Sequence, residues 1–133
     1  MLNAEQAVSE FGRQLGIEGL TLGHSGACQL GLPDGSELLV DAYKEALLVA
    51  LVLPVPFLNA AEMLKSLQMA DLRLHHAQGI VRVGLRGNGA DASLVLVARI
   101  TGLMVGADDI RRAWQTLTQW RARWESNCGR AAA

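Results

Sequence analysis

The sequence predicts an α+β domain, a single twisted antiparallel sheet with helices packed on it, in the order αβββαββα. Three observations carry this. The run Ala46-Leu47-Leu48-Val49-Ala50-Leu51-Val52-Leu53 holds no charged or turn residue, and extended at roughly 3.3 Å per residue it reaches about 26 Å. Pro54 and Pro56 close it too soon for a well-capped helix, so it reads as a strand buried on both faces. The apolar residues just before it alternate and are joined by short turns, which makes its neighbours antiparallel. Segments of helical period lie on either side to supply covers.

In chain order, Ala4, Val8, Phe11 and Leu15 recur at spacings of four, three and four, the period of an amphipathic helix over residues 3–15. Asn3 suits the N-cap, Gln6 three residues on forms a capping-box pattern, and Gly16 ends the helix. The period then falls to two. Leu20 and Leu22 alternate, Gly23 to Gly26 turn, and Cys28, Leu30 and Leu32 alternate again. Pro33-Asp34-Gly35 is a turn in which proline presets φ and glycine accepts a positive one. Leu38, Val40 and Ala42 alternate with Leu39 and Asp41, and Tyr43-Lys44-Glu45 leads into the apolar run. Strands over 27–32, 36–43 and 46–53 therefore form a meander.

Pro56 suits the first turn of a second helix, placed at 57–70, with Phe57, Ala60, Ala61, Leu64 and Leu67 on one face. Val81, Val83 and Leu85 alternate with Arg82, Gly84 and Arg86 as a half-exposed strand. Gly87-Asn88-Gly89 turns the chain into a fifth strand from Leu94 to Ile100. The last helix spans 107–126, with Ile110, Ala113, Leu117, Trp120 and Trp124 on its apolar stripe. Asp108 and Asp109 in its first turn and Arg121 and Arg123 in its last suit the helix dipole. One domain thus covers 1–126, and 127–133 are expected to be a disordered tail.

At 133 residues and 50% hydrophobic content, the chain can build one core without staples. A formal net charge of −1 offers no general attraction to nucleic acid. Cys28 and Cys128 stand too far apart in sequence to read as a disulfide framework, which points to a reducing compartment. Glu5, Glu10 and Arg13 interrupt the start of the chain, so no signal peptide is expected there. No run approaches the roughly 20 apolar residues of a membrane span, and no membrane partner is expected.

The residues that carry chemistry do not assemble into a site. Adjacent His75 and His76 would point apart if extended, and with His24 they read as exposed loop residues rather than metal ligands. Gly87-Asn88-Gly89 joins two strands and opens no helix, unlike a phosphate loop. Asp108-Asp109 reads as a helix cap rather than a general acid and base. Ser25 and Ser36 lie in turns that lack a nucleophile-elbow context. Trp120 and Trp124 belong to the core stripe, while Trp114 lies off it and is expected to be partly exposed. No catalytic residue, metal or cofactor is predicted; a chain this apolar reads as one that binds another polypeptide.

Several local phrases also fall into a familiar order. Phe11-Gly12-Arg13-Gln14-Leu15-Gly16-Ile17 ends the first helix on a Leu-Gly pair. Ala27-Cys28-Gln29-Leu30 passes through Asp34-Gly35 to Leu38-Leu39-Val40, and the apolar strand from Leu47 closes at Pro54. Ala70-Asp71 ends the second helix, Val81 to Leu85 pairs with Leu94 to Ala98, and a tryptophan-bearing helix closes the chain. Over residues 3–125 this order resembles the class I type III secretion chaperones, the small bacterial family that includes the Tir chaperone. Two features depart from the family pattern. Many members are acidic where this chain is near neutral, and Asp71, Arg82 and Arg86 are unusual for it.

The resemblance implies a cytoplasmic, non-enzymatic bacterial protein associated with virulence. It implies a homodimer built from the second helix and fourth strand, here Leu58, Ala61, Leu64 and Lys65 with Val81, Arg82 and Val83. It further implies that the unfolded N-terminal segment of one or more secreted effectors is held extended and export-competent, with the secretion ATPase as a further contact. The implied effector pockets lie beside Val8, Phe11, Leu15, Leu30 and Leu39. Two other readings stay open: a small ligand-binding or enzymatic α+β domain, which needs a polar-lined pocket, and a regulatory adaptor that binds a folded partner.

Overall fold

A strand with no polar face must find a neighbour on each edge, and this one does. β3 (Ala46–Pro54) is buried along its length except at Leu48 and Pro54. The computed structural model describes residues 3–70, 81–102 and 105–128. In it β2 (Glu37–Tyr43) and β5 (Ser93–Thr101) flank β3, with β1 (Ala27–Gly31) beyond β2 and β4 (Val81–Arg86) beyond β5. Every pairing is antiparallel, as the alternating pattern predicts. The tight β2–β3 link puts Lys44 at φ 55. Gly87 turns the chain towards β5 at φ 73, where a Cβ would meet the carbonyl oxygen of Asp91 at 2.6 Å; only glycine fits.

Two helices cover one face of this sheet. α1 (Ala4–Gln14) packs on α3 (Ala107–Cys128), which lies across β5 and β3. Val8, Phe11, Ile110, Leu117, Trp120 and Trp124 meet Leu38, Val40, Leu47, Val49, Leu51, Leu94 and Leu96 in one core. Gly12 lets the chain after α1 fold back: a Cβ there would lie 2.7 Å from that of Leu20. Trp114 is half-buried and sets its ring edge-on to Phe11 at 6.0 Å.

Several helix ends differ from the sequence reading. Asn3 precedes α1 without capping it; its side chain accepts from the Val105 amide at 2.8 Å and donates to the Val105 carbonyl, tying the start of α1 to the start of α3. The second helix, α2, runs Ala60–Met69, so Pro56 does not open it. Phe57 takes a left-handed φ of 58, and Asn59 caps the helix. The Asn59 side chain accepts from the Glu62 amide at 2.8 Å while the Glu62 carboxylate accepts from the Asn59 amide at 3.0 Å, a complete capping box. α3 continues to Cys128, past the expected end at 126, which leaves Arg121 and Arg123 short of the last turn. The rest of the expected tail, and His75, His76 and Asp71, lie outside the described residues.

Arg121 has another task. It pairs with Glu125 along α3 and with Asp34 in the β1–β2 turn, each at 2.5 Å. Asp34 also accepts from the hydroxyl and amide of Ser36, at 2.5 and 2.9 Å. These Ser36 bonds, followed by Arg121, hold the Asp34 carboxyl down to about 2. A depressed carboxylate adds stability that is full above its unfolded value of about 3.9 and is lost as pH falls through the folded value. Urea unfolding of the native chain should therefore weaken between about pH 4 and pH 2. Asp34→Asn should be less stable at neutral pH and lose less over that interval; parallel acid limbs would show that the clamp adds nothing.

Candidate functional site

α2 is turned inside out. Its buried residues are Glu62 and Ser66, whereas Phe57 just ahead of it and Leu64 and Leu67 within it are 71%, 57% and 65% exposed. The cause is a polar seam against α3. The Trp124 indole N–H donates to the Ser66 hydroxyl at 2.7 Å, and that hydroxyl donates to the Glu62 carbonyl at 2.8 Å. The helix thus docks through Glu62 and Ser66, and the bond meets an indole N–H whose loss of a partner would cost about 1–3 kcal/mol; the indole N–H of Trp120, also buried, has no partner among the described residues. Met63, Leu64 and Leu67 are left facing away, while Met69 at the end of the helix packs on the core. Fully burying one Leu or Phe is worth about 1.5–3 kcal/mol, so an outward row of them marks an interaction surface.

The residues that the family resemblance assigns to a contact between copies are spread around this helix and the sheet edge. Ala61 and Leu64 are exposed, Lys65 is half-buried, and Leu58 is half-buried against the core. β4 forms one edge of the sheet. Within it Val81 belongs to the core and Val83 leans on that core from the same side, while exposed Arg82 projects to the opposite face.

The five residues assigned to effector pockets separate in the same way. Val8 and Phe11 are buried completely, as core residues. Leu15, at 40%, is exposed beyond the end of α1, and Ile17 stands beside it at 38%. Leu30 is half-buried on the helical side, where it pairs with Leu38. Leu39 pairs with Gln29 and Ala50 and faces the other way. Ile17 and Met63 are exposed apolar residues that the sequence reading passed over; Ile17 follows Gly16, where the helical period has already broken.

The sheet face away from α1 and α3 carries Leu39, Leu48, Ala50, Val52, Val95 and Val97, none of which joins the core cluster with the helices. At one end of this face lies a hollow of about 810 Å³, lined by Tyr43, Lys44, Ala46, Leu48, Arg82, Val97, Arg99 and Thr101. Three of the polar residues weighed as catalytic have structural partners instead. Ser36 is buried against Asp34, Asp108 pairs with Arg111 at 3.0 Å, and Asp109 pairs with Arg112 while accepting from the Gly106 amide at 2.9 Å. Burial pushes the Cys28 thiol above its ordinary value. Among the described residues no three metal-ligating side chains come together, and no helix is long and apolar enough to cross a membrane.

A five-stranded antiparallel sheet with α1 and α3 on one face and α2 docked on α3 is a known arrangement. It is shared with a chain of the HopA1–SchA chaperone–effector complex, at TM-score 0.71 and 17% identity over 94% of both chains. It is also shared with the complex of the Yersinia pestis type III secretion chaperone SycH with a fragment of YscM2, at TM-score 0.65 and 11% identity over 92% of this chain and 97% of that one. The Pseudomonas aeruginosa ExoU–SpcU heterodimeric complex from the type III secretion system gives TM-score 0.59 and 21% identity over 88% and 93%. The chain therefore has the fold found in type III secretion chaperone complexes. No family model and no curated protein matches it.

The burial difference along α1 has a measurable consequence. Phe11→Ala should cost about 3–5 kcal/mol of unfolding free energy, as large-to-small changes in a core do. Leu15→Ala, at an exposed position, should change it by about 0.5 kcal/mol or less. Equal losses in denaturant titrations would mean that the end of α1 is covered as fully as its middle.

Proposed function

We propose that this chain is a type III secretion chaperone: a homodimer that holds the N-terminal segment of one or more effector proteins extended and ready for export. The observation that carries the reading is the outward apolar surface on α2 and beyond α1, in a chain with the fold of the chaperone–effector complexes. It uses no cofactor and catalyses nothing. The bacterial cytoplasm is the compartment this assigns, with the secretion ATPase as a later contact.

The two apolar surfaces take different partners. A second copy covers α2 at Leu58, Ala61, Leu64 and Lys65 and meets the β4 edge at Val81, Arg82 and Val83. This contact is symmetric, so each copy hides the same row it presents. The cargo segment lies against the first helix and strands, on the exposed Leu15 and Ile17 and the half-buried Leu30, with Val8 and Phe11 as the support beneath. An extended segment adds to a sheet edge through main-chain bonds while its side chains enter apolar hollows. Ordering such a segment costs about 2–5 kcal/mol, which a long apolar contact offsets.

Both halves are open to test. Leu64→Asp places a charge in the α2 row and should convert a sedimenting dimer to a folded monomer; a variant that still sediments as a dimer excludes this contact. Purification from the native host, with mass spectrometry of whatever accompanies the chain, should find a secreted protein whose N-terminal segment resists protease only in the complex. Leu15→Asp should release that protein and leave the dimer intact. A partner protected only as a compact folded epitope would make the chain an adaptor instead.

A further inference from the structure

The outer face of the sheet carries a charge pattern of which the proposed contact between copies takes in only Arg82. Arg82 on β4 lies opposite Val97 on β5, and Arg99, two residues along β5, lies opposite Leu48 on β3. Residues two apart in a strand share a face, so both arginines and both aliphatic side chains project outward together. Diagonal neighbours of this kind stand about 7–8 Å apart. Lys44 of the β2–β3 turn adds a third cation, its ammonium 5.3 Å from the centre of the Tyr43 ring. Together these groups rim the hollow of about 810 Å³ whose floor is Ala46, Leu48 and Val97.

The two arginines differ from others in the chain. Arg13, Arg111, Arg112 and Arg121 each pair with a carboxylate, while Arg82 and Arg99 make no ion pair among the described residues. None of the described residues lining the hollow is acidic. Asp41 is the acidic residue in the same cross-strand row; it lies opposite Leu48, two strands from Arg99 and therefore about 10 Å away. Like charges held this close on one face repel each other, and a docked anion would relieve the repulsion.

We propose that this hollow docks a carboxylate-bearing segment of another polypeptide. Arg82 and Arg99 each offer a planar pair of N–H donors to an Asp or Glu carboxylate, and the aliphatic floor takes an apolar side chain beside it. The apolar floor favours a peptide over a phosphate chain. So does the net charge of −1, which gives no long-range attraction to a nucleic acid. The hollow lies across the sheet from α1 and α3, away from the cargo contacts proposed on the helical side; it shares Arg82 with the margin of the proposed dimer contact, while Arg99 and the aliphatic floor lie outside that contact.

The test is a titration of the full-length, isotope-labelled chain with a short peptide alternating Glu and Leu, followed by amide chemical shifts. Shifts should move around Arg82, Val97 and Arg99, and added salt should reduce the affinity. Arg82→Ser with Arg99→Ser should weaken binding about tenfold or more, while Arg82→Lys with Arg99→Lys retains part of it. Both arginines are exposed, so circular dichroism should show these variants folded. Four results would overturn the assignment: no shifts at these residues, unchanged affinity in the double serine variant, equal binding of the same peptide with Lys in place of Glu, or tighter binding of oligothymidylate at the same place. Dissociation of a dimer by the serine variant, with no peptide binding to the native chain, would instead make the hollow a contact between copies.

Discussion

β3 imposes the constraint from which the rest of the molecule follows. A strand that is apolar on both faces cannot lie at an edge, and it cannot leave either face to water along its length. β2 and β5 satisfy the first demand, and α1 with α3 satisfies the second on one side. On the other side Ala46, Ala50 and Val52 are buried as well, in rows between residues of β2 and β5. Small residues at the middle of that face leave a shallow surface with charged groups towards its margins. The sheet is therefore two-sided in character, with a packed core behind and an aliphatic face edged by charge in front.

The third helix obeys a different rule. Elsewhere in the chain apolar side chains decide which face turns inward; in α2 hydrogen bonds decide it. Trp124 is buried, and its indole N–H donates to Ser66. Once Ser66 faces α3, Glu62 follows one turn earlier, and the leucines have nowhere to go but outward. Polar satisfaction in one place thus creates apolar exposure in another, and the two facts are one design.

Much of this was legible in the sequence because period reports local structure well. The alternation of Leu38, Val40 and Ala42 and the three–four spacing from Ile110 to Trp124 each describe an element that forms. Period does not report which side of an element is inside. The apolar face of α2 could be read from Ala60, Ala61, Leu64 and Leu67, yet its direction depends on Trp124, far along the chain. Strand register raises the same difficulty: Leu30 and Leu39 look equivalent until pairing with Leu38 and Ala50 puts them on opposite faces. One signal was present and overlooked. Asn59 with Glu62 is the capping pattern that starts α2, and the proline rule applied at Pro56 concealed it.

The polar seam under α2 also bears on how such a molecule can vary. A helix that meets the hydrophobic interior through Met69 and, just ahead of it, Leu58, and is otherwise fixed by the bond between Trp124 and Ser66, can change its outer row residue by residue with little repacking underneath. The interior can drift just as freely, provided an indole and a hydroxyl keep meeting at the seam. The outer row and the core are thereby separable modules within one small domain, which suits an architecture that persists at sequence identities as low as 11%.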